Sequence, residues 1–205
     1  MPFPTYAVST ELDAVNQILS SVGQAPVTTL DLQNPEVSIV LNTLREVNKQ
    51  VQTEGWTFNV ERNYKLSPDS STQQILYPSN MLQIDTNREK HRDDYDVVRR
   101  NGKLYDRLNH TYTFTKDIYA DVIWYFDFTD VPPAIQTYIT ARAAKMVATK
   151  MVGDRELYQL LGEQELQTRA AAIEYDCNQG DYSMYGFQDG ANYYNSYQPF
   201  QALMR

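Results

Sequence analysis

The chain has 205 residues, 42% of them hydrophobic, enough for one core with an inserted subdomain, and this excludes global disorder. Its 18 basic and 26 acidic residues leave a formal charge of -8, which argues against the sequence-independent grip on phosphates that most DNA binders use. One cysteine, Cys177, excludes an intramolecular disulfide and any multi-thiolate metal site.

The opening residues Met1 to Tyr6 carry neither a basic n-region nor an apolar h-region, so no secretory signal is expected there. No stretch approaches the roughly 20 apolar residues of a bilayer-spanning helix, and the expectation is a soluble chain without a membrane anchor, assembled in a cytoplasm. Thr10 can cap a first helix with Asp13 at its third position, and Leu12, Val15, Ile18, Leu19 and Val22 then recur at helical spacing. Gly23 and Pro26 stop it. Asn34 and Pro35 open a second helix, whose stripe of Val37, Val40, Leu41, Leu44, Val47 and Val51 runs to Gly55.

From Trp56 the period changes to two. Trp56, Phe58 and Val60 alternate with Thr57, Asn59 and Glu61, which predicts a half-buried strand. Asn101-Gly102 sits between Val97–Arg100 and Lys103–Tyr105, and this pair suits a type I′ hairpin turn because both central positions need positive φ. Tyr112 and Phe114, then Val122, Trp124, Phe126 and Phe128, continue the alternation, so 56–128 reads as an antiparallel sheet of four to six strands. Pro132-Pro133 opens a third helix carrying Ile135, Tyr138, Ile139, Met146 and Val147, and Gly153 ends it. Asp154 caps a fourth helix with a looser stripe of Leu157, Leu160, Leu161, Leu166, Ala170 and Ile173, interrupted by Gly162.

The predicted class is therefore α+β. Residues 1–55 and 129–177 form a bundle of about four antiparallel helices, 56–128 an inserted antiparallel β-rich subdomain, and 178–205 an extended arm. The arm has no aliphatic stripe and cannot build a core, yet it carries Tyr182, Tyr185, Phe187, Tyr193, Tyr194, Tyr197 and Phe200. Such side chains anchor well when another surface supplies the pocket, so the arm is expected to dock on a partner.

The segment Glu11-Leu12-Asp13-Ala14-Val15-Asn16-Gln17-Ile18-Leu19-Ser20-Ser21-Val22-Gly23-Gln24-Ala25-Pro26-Val27-Thr28-Thr29-Leu30, followed by Gly55-Trp56-Thr57-Phe58-Asn59, resembles the opening of tail tubular protein A, the head-to-tail adaptor of short-tailed bacteriophages. Gly102-Lys103-Leu104-Tyr105-Asp106, the Pro-rich entry to the third helix and Glu174-Tyr175-Asp176 extend the likeness over nearly the whole chain, while the charged stretch Asp85 to Arg100 departs from it. The resemblance implies a virion protein below the portal vertex, assembled in the host cytoplasm. Twelve copies would form a ring between the portal and the tail nozzle, tubular protein B, with tail fibres docking nearby. Genomic DNA would pass through without specific binding, which suits an acidic chain.

Other chemistries are weaker in the residues. Asp93-Asp94-Tyr95-Asp96 offers oxygens for a hard cation but lacks the turn glycine and bidentate glutamate of a calcium loop, and Arg88, Lys90, His91 and Arg92 beside it make a self-compensating surface loop. His91 and His110 have no nucleophile elbow near them, and Cys177 is placed after a helix C-terminus, where the dipole raises a thiol pKa. The tail has Arg205 as its one cation, so it makes a poor stacking platform for single-stranded nucleic acid, and its glycines fit no phosphate loop. No catalytic residue, cofactor or metal is assigned, and the sequence reads as a structural adaptor and not an enzyme. The alternative is a virion-associated exopolysaccharide or cell-wall glycan hydrolase, since two suitably separated carboxylates would suffice.

Overall fold

A computed structural model describes residues 10–86 and 94–180. Helix α1 (Glu11–Ser21) starts at a reciprocal cap. The Thr10 hydroxyl accepts from the Asp13 amide, and the Asp13 carboxylate accepts from the Thr10 amide at 2.9 Å. Helix α2 (Pro35–Thr53) is capped by the Asn34 side chain, which accepts from the Glu36 amide. All six residues of its expected stripe are buried. Helix α3 (Pro133–Met151) lies at the centre of the helical body and packs on α1, α2 and α4 (Arg155–Gly180). The link through Gly153, at φ 70°, turns the chain back so that α3 and α4 run antiparallel. Tyr138, Ile139, Ile135 and Val147 of α3 close one core with Val15, Ile18, Leu41, Leu44 and Trp56.

Between the helix pairs, β5 (Ile118–Trp124) is the middle strand of an antiparallel sheet, flanked by β1 (Val60–Leu66) and β2 (Met81–Thr86). Its inward residues Ile118, Ala120 and Val122 form a second core with Leu66, Met81, Val97, Leu104 and Phe114. Strands β3 (Val97–Arg100) and β4 (Lys103–Asp106) pair as the expected hairpin, with Asn101 at φ 51° and Gly102 at φ 71°. The architecture is α+β, with five strands in two sheets among the described residues.

Four local expectations are corrected. The strand expected from Trp56 begins only at Val60, because 56–59 form a turn in which Asn59 is buried and its side-chain oxygen accepts from the Trp56 amide at 2.8 Å. Tyr112 and Phe114 lie outside the strands; Phe114 is nonetheless buried at the centre of the sheet core. Phe126 and Phe128 follow the end of β5 and pack on the helical core, Phe128 within a short 3-10 turn (Phe128–Asp130). Finally, α4 passes through Gly162 unbroken and continues to Gly180, so Cys177 lies inside the helix. A Cβ at position 162 would lie at an ordinary contact distance of 3.8 Å from the Lys145 side chain, so neither space nor backbone demands glycine there.

Candidate interaction surfaces

The join between the helical and sheet cores is a buried polar network. Gln52 on α2 donates to the Phe126 carbonyl and accepts from the Phe126 amide, both at 2.8 Å, and Asn59 donates to the Gln52 and Trp124 carbonyls, both at 2.9 Å. Both side chains are essentially inaccessible to water, and Gln52 supplies the acceptor for the Phe126 N–H at this buried join. At the other side of the turn the Asp176 carboxylate near the end of α4 accepts from the Thr57 amide at 2.7 Å. These contacts fix the sheet against the helices. Gly55, at φ 79°, makes the tight exit from α2, and a Cβ there would meet Ile123 at 3.1 Å.

Helix α4 departs most from the sequence reading. Among the described residues its fully buried side chains are Leu161 and Ala172, with Leu157 partly covered, because α3 alone packs along it. The rest of the expected core stripe faces outward: Leu160 is 65% exposed, Leu166 70% and Ile173 46%. Leu166, Ala170, Ile173 and Cys177 follow the i, i+4, i+7, i+11 spacing of one helix face and make an apolar ridge open to water. The exposed Glu163 and Glu174 flank it, and neither is in an ion pair among the described residues. An apolar stripe left outside by its own fold is the mark of a docking face.

Beside the first turns of α4 lies a groove of about 640 Å3 between α2, α3 and α4. Met146, Thr149, Lys150, Arg155 and Tyr158 line it, with Lys145 on its wall. Lys145 bonds Glu165 at 2.9 Å, which raises its pKa above the usual lysine value, and its ammonium lies 4.8 Å from the Tyr158 ring centre. Arg155 is exposed and in no ion pair among the described residues.

A third surface is the β3–β4 hairpin. Arg100 lies 4.2 Å over the Tyr105 ring, Tyr105 meets Tyr112 edge-on at 4.8 Å, and Arg99 covers Tyr77 at 4.9 Å. Asp106 below it is buried and accepts from the Asp96 and Leu108 amides and from Asn109, so this carboxylate ties the turn and is not open to a substrate. His110 sits exposed in that turn at φ 52°. The Asp96 carboxylate pairs with Arg107 at 2.5 Å, and no group of three or more metal-ligating side chains occurs among the described residues. Asp69 is held well below the usual carboxylate range by the Ser71 hydroxyl and by the Thr72 and Ser71 amides, another loop staple. Asp93, Arg88, Lys90, His91 and Arg92 lie outside the described residues, as do the arm residues Tyr182, Tyr185, Phe187, Tyr193, Tyr194, Tyr197 and Phe200.

The family model for tail tubular proteins matches residues 12–182, from the first turn of α1 to just beyond α4. The chain belongs to the tail tubular protein family. It is also 28% identical over 124 residues to the tail tubular protein A of Klebsiella phage KP34, a match that covers 60% of this chain and 62% of that protein. As a tail tubular protein the chain is a structural component of a phage tail.

Proposed function

We propose that this tail tubular protein is the ring-forming head-to-tail adaptor of a short-tailed phage, seated between the portal and the tail nozzle. The observation that carries the reading is the α4 ridge: Leu166 and Ile173 are left in water by a helix that packs on α3 along its other face. An isolated subunit has no use for that face, whereas a closed ring covers it. In this reading about twelve copies surround the channel, and the net charge of -8 lets genomic DNA pass without adhering. The arm from residue 181 onward, with its seven aromatics from Tyr182 to Phe200, clasps a neighbouring subunit or the portal, and tail fibres dock at the boundary with the nozzle. Electron microscopy of the purified protein, alone and mixed with its portal, tests the proposal. Rings of uniform size are expected in at least the mixture, and a compact monomer under both conditions overturns it.

A further inference from the structure

We infer that the ridge of α4 in one copy docks into the groove between α2, α3 and α4 of the next copy, a head-to-tail contact built from two different surfaces of the same helical body. The inference rests on the ring reading and adds the surfaces that close it. The two faces do not compete within one subunit, because the groove is lined by Lys145, Met146 and Lys150 of α3 with Arg155, Tyr158 and Glu165 of α4, while the ridge of Leu166, Ala170, Ile173 and Cys177 lies on another face of α4. A contact between unlike patches propagates from copy to copy and closes into a ring when the rotation allows, whereas a contact between like patches stops at two.

The chemistry of the two faces is complementary. Within its 640 Å3 the groove has room for two or three aliphatic side chains, and Met146, the Tyr158 ring and the Lys145 stem supply apolar walls. Leu166, Ala170 and Ile173 are the matching knobs, spaced at successive turns of the helix. Charge sets the partner as a second copy of this chain. The ridge is flanked by Glu163 and Glu174, which have no basic partner among the described residues; the groove has four cations, Arg142, Lys145, Lys150 and Arg155, against two acids, Asp154 and Glu165, and with Glu165 taken up by Lys145 its Arg155 is in no ion pair among the described residues, while Lys150 reaches Glu46 only at 3.8 Å. Docking brings these unpaired groups of opposite sign together, which favours encounter and register. A basic surface such as nucleic acid-binding loops carry would also suit the glutamates, but it would leave Arg155 unpaired.

Two variants with changes at exposed positions test the contact: Leu166→Asp with Ile173→Asp removes the ridge, and Thr149→Trp with Arg155→Glu blocks the groove. Melting curves establish that both remain folded, and native mass spectrometry with light scattering reads the mass of each alone and of an equimolar mixture. The expected result is an oligomeric wild type, two variants that stay monomeric alone, and a mixture that yields a one-to-one pair and nothing larger, because each pair has one intact ridge in one intact groove and no further free match. A second pair, Glu163→Arg against Arg155→Glu, should each lose assembly by 10-fold or more and regain it when mixed. Variants that assemble as the wild type does overturn the ridge-and-groove contact while leaving the ring itself in place. A wild type that is monomeric with and without the portal overturns the ring reading as well.

Discussion

Asp13 illustrates how one side chain can tie stability to pH. Its carboxylate accepts from the Thr10 amide and hydroxyl at the start of α1, and these bonds, the amide first, hold its pKa below the usual carboxylate value. Because the folded value is depressed, the stabilisation is present above the unfolded value of about 3.9 and is lost as pH falls through the folded one. A charge at this position of a helix contributes about 0.3–1 kcal/mol, and the exposure of Asp13 places it toward the lower end. Asp13→Asn should therefore melt slightly below the wild type at pH 7. The gap should narrow as pH falls below about 4, the unfolded carboxylate value; a gap that does not change with acidification would show that the charge does not act through this cap.

At the scale of elements, the helices were legible where burial follows a single period. The stripe of α2 needs no knowledge of its neighbours, since Val37, Val40, Leu41, Leu44, Val47 and Val51 fall on one face and that face is buried. The caps at Thr10 and Asn34 and the Asn101-Gly102 hairpin were equally local. The α4 stripe had the same periodic signal but a different outcome, because periodicity identifies an apolar face and cannot say whether the covering surface belongs to the same chain. Strand β2 carried too weak an alternation to be read, and the join was invisible for a different reason. Gln52 meets Phe126 across 74 positions, and an Asn or Gln in isolation looks like surface. Its buried role gives a direct prediction. Gln52→Leu keeps the volume but strands the Phe126 N–H and weakens the satisfaction of its carbonyl, at roughly 1–3 kcal/mol for each stranded group. Denaturant unfolding should show that loss for Gln52→Leu, while Gln50→Leu, on the exposed face of the same helix, should stay within about 0.5 kcal/mol of the wild type. Equal effects of the two changes would mean that the network does not hold the two cores together.

For the whole molecule the open question is what the residues after α4 do for a subunit whose helical core is already enclosed by α1 to α4. Residues 181–205 carry aromatics at irregular spacing with adaptable glycines and no aliphatic stripe, so ordering them on an isolated subunit would cost conformational entropy with little apolar burial in return. Bound across a neighbour or the portal, the same tyrosines offer ring packing and a hydroxyl hydrogen bond each, and a few such anchors carry most of the energy of an interface. The cut belongs after Gly180, since α4 runs to that residue and Asp176 is still bonded to Thr57. A chain ending at Gly180 should keep the melting temperature of the full chain, because both cores remain. Its assembly should weaken, measured as the concentration at which half the protein is in rings or as retention on the portal. The ridge and groove survive the truncation, so some self-association should persist at high concentration. Assembly as tight as that of the full chain would show that the arm does not clasp a partner, and a truncated chain that fails to fold would place the arm inside the subunit's own core.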